Sequence, residues 1–258
     1  MQVDDTSVTI ERRDGVVVLV LNRPAARNAI NAQLARELIS AIGGCGDARC
    51  IVITGADPAF CAGLDLRDVG VERLAELPPF LEAVTNSPTP TIAAVNGAAV
   101  TGGLELALAC DFIVASDRAR FADTHVRVGV YPGPVLVDLP RRIGMPMARE
   151  MSMTGNFVDA ATALRIGLTN HVVPHQQLLP FALELASAIA ESDRRMITTM
   201  RHDWDATAGL GRDDAIRRHG EIAGEAGWRG IASDTLEANM AAVVTRARRQ
   251  AGASEEAR

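Results

Sequence analysis

A chain of 258 residues with 48% apolar and 22% charged side chains is long enough to bury one large core, and its composition excludes collagen, disorder and a disulfide scaffold. The 26 basic residues against 32 acidic ones give a formal charge of −6, and every basic residue is an arginine. Without a lysine there is no Schiff-base chemistry, no lysine-anchored pyridoxal group and no Walker phosphate loop; net acidity and an aromatic content of 3% argue against a nucleic-acid partner.

In chain order, Val8 to Arg12 alternates apolar and polar residues, Asp14-Gly15 supplies a turn, and Val16 to Leu21 is an apolar, largely β-branched run. This predicts a hairpin whose second strand is buried on both faces. Asn31 is placed to cap a helix carrying Leu34, Leu38, Ala41 and Ile42, stopped by Gly43-Gly44. Cys50 to Thr54 reads as a buried strand, followed by a Gly55-Ala56-Asp57-Pro58 turn and a loop from Phe60 to Leu66. A helical segment from Val71 to Val84 is interrupted by Pro78-Pro79. Strand Thr91 to Val95, a small-residue loop and an apolar helix Leu104 to Ala109 follow, then strand Phe112 to Ala115. Strands alternating with helices favour an α/β architecture with crossover connections.

Beyond residue 135 the pattern turns helical: Leu136 to Ile143, Ala160 to Arg165, Leu178 to Glu191 and Leu236 to Arg248, with one short strand at His171 to Val173. The last helix has Asp234 and Glu237 at capping spacing and Leu236, Met240, Val243 and Val244 on one face. A break near Ser192-Asp193 divides a main domain, 1–193, from a helical region, 194–258, too small for a core of its own and expected to dock on the main domain or another subunit. The first residues hold no apolar run of signal length, and no stretch is free of charge for a membrane span, so a cytoplasmic protein without a membrane partner is expected.

Two segments carry the candidate chemistry. From Val95 to Asp111 a strand, a glycine loop and a helix start leave first-turn amides unpaired, and Glu105 sits in that turn between Leu104 and Leu106. Apolar neighbours raise a carboxyl toward use as a general acid or base, although a glutamate here also simply compensates a helix dipole. The second segment, Phe60-Cys61-Ala62-Gly63-Leu64-Asp65-Leu66, has a glycine that can turn an amide outward. Two outward amides from two loops are the minimum of an oxyanion hole.

These stretches resemble the crotonase (enoyl-CoA hydratase/isomerase) superfamily over nearly the full length. The matching residues are Leu21-Asn22-Arg23-Pro24 with Asn28-Ala29; Phe60 to Leu66; Ala94 to Gly97 with Gly102-Gly103-Leu104-Glu105-Leu106-Ala107 and Cys110-Asp111; Arg120 to Asp123 with Gly129; and Gly167 to Val173. The resemblance implies a spiral of ββα units with C-terminal helices that make a homotrimer or a hexamer of two trimers. It implies an acyl-CoA substrate, with coenzyme A part of that substrate and no separate metal or redox cofactor. It assigns the amides of Leu64 and Gly102 to the oxyanion hole, Glu105 to one of two catalytic glutamates, and Arg27, Ala62, Asp65 and Leu66 to the substrate. The second glutamate falls on His125, a departure, as is Tyr131-Pro132-Gly133-Pro134-Val135 where the family has a more glycine-rich stretch. His125, with Asp123 two residues earlier to orient it, either holds a water and moves a proton or merely fills the pocket. Hydration of a 2-enoyl-CoA is the leading expectation; a double-bond isomerase using Glu105 alone and a non-catalytic acyl-CoA binder are the alternatives.

Other patterns point elsewhere only weakly. His171 and His175 are spaced four apart, but Pro174 spoils a helical metal face. No Gly-x-Ser-x-Gly elbow and no Gly-x-Gly-x-x-Gly loop occurs. Cys45, Cys50, Cys61 and Cys110 read as reduced core residues, and the pairs Arg141-Arg142, Arg194-Arg195 and Arg217-Arg218 as solvated faces or subunit contacts.

Overall fold

The computed structural model describes residues 6–69, 77–227, 236 and 239–247. In chain order the strands are β1 (Val8–Arg13), β2 (Val16–Leu21), β3 (Cys50–Gly55), β4 (Ala59–Cys61), β5 (Thr91–Val95), β6 (Ala98–Val100), β7 (Phe112–Ser116), β8 (Arg120–Ala122), β9 (Val158–Asp159) and β10 (His171–Val173). The helices of the first half are α1 (Ala32–Gly43), α2 (Leu66–Val69), α3 (Phe80–Thr85) and α4 (Gly102–Leu108). Those of the second half are α5 (His125–Val128), α6 (Val135–Ile143), α7 (Met145–Thr154), α8 (Ala160–Arg165), α9 (Leu178–Ala190), α10 (Arg194–Thr207) and α11 (Arg212–Glu225). Among the described residues no helix is long and apolar enough to cross a membrane.

The strands form a six-stranded sheet of order β1-β2-β3-β5-β7-β10 and a four-stranded sheet of order β4-β6-β8-β9. The β1-β2 hairpin is antiparallel and β2, β3, β5, β7 and β10 run parallel. Continuous apolar runs fit β2, β3, β5 and β7, which have two buried faces, whereas the edge strand β1 is exposed beyond Val8. On one face Val16, Val18, Val52, Ile92 and Val114 pack against Leu178, Ala182 and Ala186 of α9. On the other Val17, Leu19, Leu21, Ile51, Ile53 and Val95 meet Leu34 and Leu38 of α1 and Leu104 and Leu106 of α4. A fully buried leucine or isoleucine of this kind contributes about 1.5–3 kcal/mol.

The small strands were not legible in the sequence, which suggested loops at Ala59–Cys61 and Ala98–Val100. They reveal a repeat instead. Three times a strand of the large sheet is followed by a short strand of the small one and then a helix: β3-β4-α2, β5-β6-α4 and β7-β8-α5. This is the spiral of ββα units expected from the family resemblance. Helix α4 starts at Gly102, two residues before its expected start, because Gly103 lets it lie against β4: a Cβ on Gly103 would stand 2.1 Å from the Cys61 carbonyl oxygen.

Asn31 caps α1 as expected, accepting from the Leu34 N–H at 2.9 Å. Of the expected helix Val71–Val84, residues 70–76 lie outside the described residues; the remainder is α3, which begins after Pro79. The expected cap of the last helix, Asp234 and Glu237, also lies outside them, while 239–247 is helical. The chain divides into two compact units, Met1–Thr198 and Thr199–Arg258. In the second, Trp204, Leu210, Ile216, Leu236, Met240, Val243 and Val244 are exposed. Arg142 is a correction to the solvated-face expectation: it is half-buried, and burial lowers its pKa.

Candidate active site

The candidate residues lie just past the carboxyl ends of the three parallel strands of the small sheet. After β4 come Ala62, Gly63 and Leu64; after β6 come Thr101, Gly102 and, one turn into α4, Glu105; after β8 come Asp123 and His125. Parallel neighbours deliver three successive loops to one place, where crevices outside strand ends bind ligands.

Gly63 has φ +97, and Ile30 N–H donates to its carbonyl at 2.8 Å. Asp65 N–H donates to Ile30 O at 2.9 Å, so the backbone on both sides of Leu64 is pinned to the Asn28–Ile30 segment. Asn28 anchors that segment in turn: fully buried, it donates to the carbonyls of Ala56 and Ala59 and accepts from Arg23 N–H. A Cβ on Gly102 would lie 3.5 Å from the Leu64 nitrogen, so the two amides assigned from sequence are neighbours. Neither N–H has an acceptor among the described residues.

Glu105 is 8% exposed. Its carboxylate accepts from Val135 N–H at 3.3 Å, and Gly133 approaches so closely that a Cβ there would stand 2.9 Å from Oε1. That explains why the departing loop Tyr131–Val135 keeps a glycine in its middle. Burial raises the Glu105 pKa above the ordinary carboxylate range, with Asp123 adding to it and the Val135 amide and His125 opposing.

His125 is 6% exposed and its Nδ1 is bonded to Asp123 Oδ1 at 2.6 Å, leaving Nε2 free of that contact. Burial works against a charged imidazole, but the Asp123 hydrogen bond and the charges of Glu105 and Asp123 outweigh it and raise the pKa. Asp123, fully buried, is held below the usual range although burial alone would raise it, because His125 and the nearby Ser152 stabilise its charge. Its Oδ2 has no hydrogen bond of good geometry among the described residues.

A pocket lined by Ala62, Leu64, Leu66, Thr101, Thr124, His125, Val128 and Val130 opens onto His125 and the Leu64 loop. Beside it runs a wider groove, about 960 Å³, lined by Arg23, Ala26, Arg27, Ala62, Leu64, Asp65, Leu66 and Arg67; the two share Ala62, Leu64 and Leu66. Arg27, Ala62, Asp65 and Leu66, assigned from sequence to the substrate, all border that groove. Asp65 is paired with Arg23 at 3.0 Å. Thr124, Val128, Val130, Arg23 and the Val135 amide were missed; a short segment after a β-strand, with no regular period, gave no signal for them. A cavity of about 430 Å³ between α1 and α3 includes none of these residues.

The chain's residues 11–220 match the family model for enoyl-CoA hydratase/isomerase. The chain belongs to that family. It is 40% identical over 193 residues to a probable enoyl-CoA hydratase of Rhizobium meliloti, covering 71% of this chain and 75% of the relative. A solved enoyl-CoA hydratase from Mycobacterium smegmatis superposes with a TM-score of 0.83 at 29% identity, covering 91% of this chain and 96% of that one. One from Mycobacterium avium gives 0.70 at 40% identity, covering 85% and 94%. Within this family fold the remaining sequence candidates are structural. His171 packs edge-on to Phe181 with centroids 5.1 Å apart, and His175 bridges Ser116 and Asp57, each at 3.1 Å. Burial pushes the Cys61 and Cys110 thiols up to about 12, far from a nucleophilic thiolate.

Proposed function

We propose that this family member adds water across the double bond of a 2-enoyl-CoA. The observation that carries the proposal is the Asp123–His125 hydrogen bond beside Glu105, because it supplies a second proton-transfer group where the resemblance requires one. The thioester oxygen accepts from the Leu64 and Gly102 amides, which stabilise the enolate as charge moves onto it. The coenzyme A portion lies along the groove bordered by Arg23, Arg27 and Arg67.

In the proposed addition neutral His125 takes a proton from water through Nε2 while the oxygen bonds to C3. The C2=C3 pair moves toward the thioester and C2 takes the proton of Glu105. Asp123 fixes the ring and stabilises the imidazolium. The product is the 3-hydroxyacyl-CoA, and transfer of one proton from His125 back to Glu105 resets the pair. The two groups therefore work with one proton between them, and both limbs of the pH profile belong to the pair.

The test is spectrophotometric. Crotonyl-CoA should lose its conjugated thioester absorbance in the presence of the enzyme. Appearance of that absorbance from a 3-enoyl-CoA, without decay of crotonyl-CoA, supports instead the double-bond isomerase, for which the raised pKa of Glu105 suits a single returning proton. Tight CoA-ester binding with neither change supports the non-catalytic binder. We further propose that the region 194–258 serves assembly into a homotrimer or hexamer, in line with its exposed apolar side chains. Light scattering on the full chain at micromolar concentration should show no monomer, and removal of residues 194–258 should give monomeric or insoluble protein.

A further inference from the structure

Thr101 stands between β6 and α4 with φ 47 and ψ −114, a backbone conformation that suits glycine and that a β-branched residue resists. The conformation is enforced from both sides. Thr101 N–H donates to Ala122 O at the end of β8, and Thr101 O accepts from Glu105 N–H, each at 2.9 Å. A threonine before a helix ordinarily turns its hydroxyl back onto the N–H of the second or third helical residue. Thr101 makes no such cap. Its side chain goes the other way, across to the loop after β4: a Cβ on Gly63 would stand 2.1 Å from Thr101 Oγ1 and 3.4 Å from the Gly102 nitrogen. The Thr101 side chain thus rests on the residue whose peptide carries the Leu64 N–H, immediately before the residue that carries the Gly102 N–H, and it lines the pocket together with His125.

A strained residue persists where its surroundings over-determine it, and here the easier residue, glycine, is the one not used. We infer that Thr101 is a positioning residue of the oxyanion site: its side chain, thrown into the pocket by the strained backbone, bears on Gly63 and fixes the spacing and direction of the Leu64 and Gly102 amides. This rests on the assignment of those amides to the thioester oxygen. It also explains why α4 starts uncapped. A hydroxyl folded back onto the first turn would compete with the ligand for the N–H groups and would leave the Gly63 loop unsupported.

The experiment compares Thr101→Gly and Thr101→Ser with the unmodified enzyme by melting temperature, by kcat and KM with crotonyl-CoA, and by near-ultraviolet absorbance of bound acetoacetyl-CoA, whose enolate resembles the charge the site is built to hold. Glycine relieves the strain and removes the support, so T101G should melt at or above the original temperature. It should also keep its KM, lose roughly ten- to a hundredfold in kcat and bind less of the enolate, the scale of loss known for a displaced reacting geometry. T101S keeps the contacting oxygen and should stay within about threefold in kcat. A T101G enzyme with unchanged kcat and enolate uptake overturns the role of Thr101, and so does one whose melting temperature falls along with its activity, since that marks a merely structural residue. If the unmodified enzyme takes up no enolate, the oxyanion assignment fails and the inference fails with it. If it does and T101G matches it, only Thr101 is at fault.

Discussion

The two sheets of this molecule are built from similar residues and do different work. Strands β2, β3, β5 and β7 of the large sheet are five or six residues long and apolar, and are covered on both faces; none carries a candidate site residue. Strands β4, β6 and β8 of the small sheet are three residues each, and every group assigned to the proton transfers or the oxyanion hole follows one of them within five residues. Long strands supply the burial that holds the chain together. Short parallel strands act as guides, bringing three loops to one pocket while contributing little area of their own. Stability and chemistry are therefore separable, and the separation can be measured.

The largest expected effect is Glu105→Gln. The amide is isosteric but cannot hand a proton to C2, so kcat should fall on the order of 10² to 10⁴ while the melting temperature and CoA affinity stay near those of the original enzyme. The mirror experiment is Ile53→Ala in the large sheet, which should cost about 2–5 kcal/mol in a urea unfolding series yet leave kcat per folded molecule unchanged. Either variant showing both defects would blur the division between the sheets.

His125→Ala should lower hydration by roughly 10², and His125→Glu, which restores a carboxylate, should recover part of it. A hydration rate untouched by alanine and not raised by glutamate would remove His125 from the mechanism and favour isomerisation by Glu105 alone. Asp123→Asn should have a smaller effect, about tenfold, because it acts through the ring it orients. It should also move the acidic limb of the rate profile. Asp123 raises the His125 pKa, so without its charge the imidazole stays neutral to lower pH and the loss of rate begins at lower pH. A limb that stays in place or moves toward higher pH would contradict the Asp123–His125 coupling.

The large sheet was legible in the sequence because its signal is local: a run such as Val16 to Leu21 announces a doubly buried strand, and Asn31 announces a helix start. Glu105 was legible for a related reason, a carboxylate standing in an apolar run. The small sheet was not. Ala59–Cys61 and Ala98–Val100 are too short for a period and too small in side chain to read as strands, and only their pairing with one another defines them. Thr124, Val128 and Val130 reach the pocket through that pairing, and the Val135 amide reaches Glu105 from the start of α6. Arg142, in a pair read as a solvated face or a subunit contact, departs from a solvated face because it lies against the Cys110 segment, whose carbonyl its Nη2 meets at 3.5 Å.

The close approach of Gly103 to Cys61 and of Gly102 to Leu64 has a consequence for how this site can change. Half of the proposed machinery consists of main-chain N–H groups, which no ordinary substitution at Leu64 deletes, and the other half consists of two exchangeable side chains, Glu105 and His125. In the proposed mechanism enolate stabilisation therefore rests on main-chain groups positioned by the glycines at 63, 102 and 103, and proton delivery rests on side chains that substitution can change. A library aimed at new reactions should hold those three glycines fixed and diversify 105, 123 and 125, since a single methyl at position 103 would meet the Cys61 carbonyl and push α4, with its amides, out of the pocket.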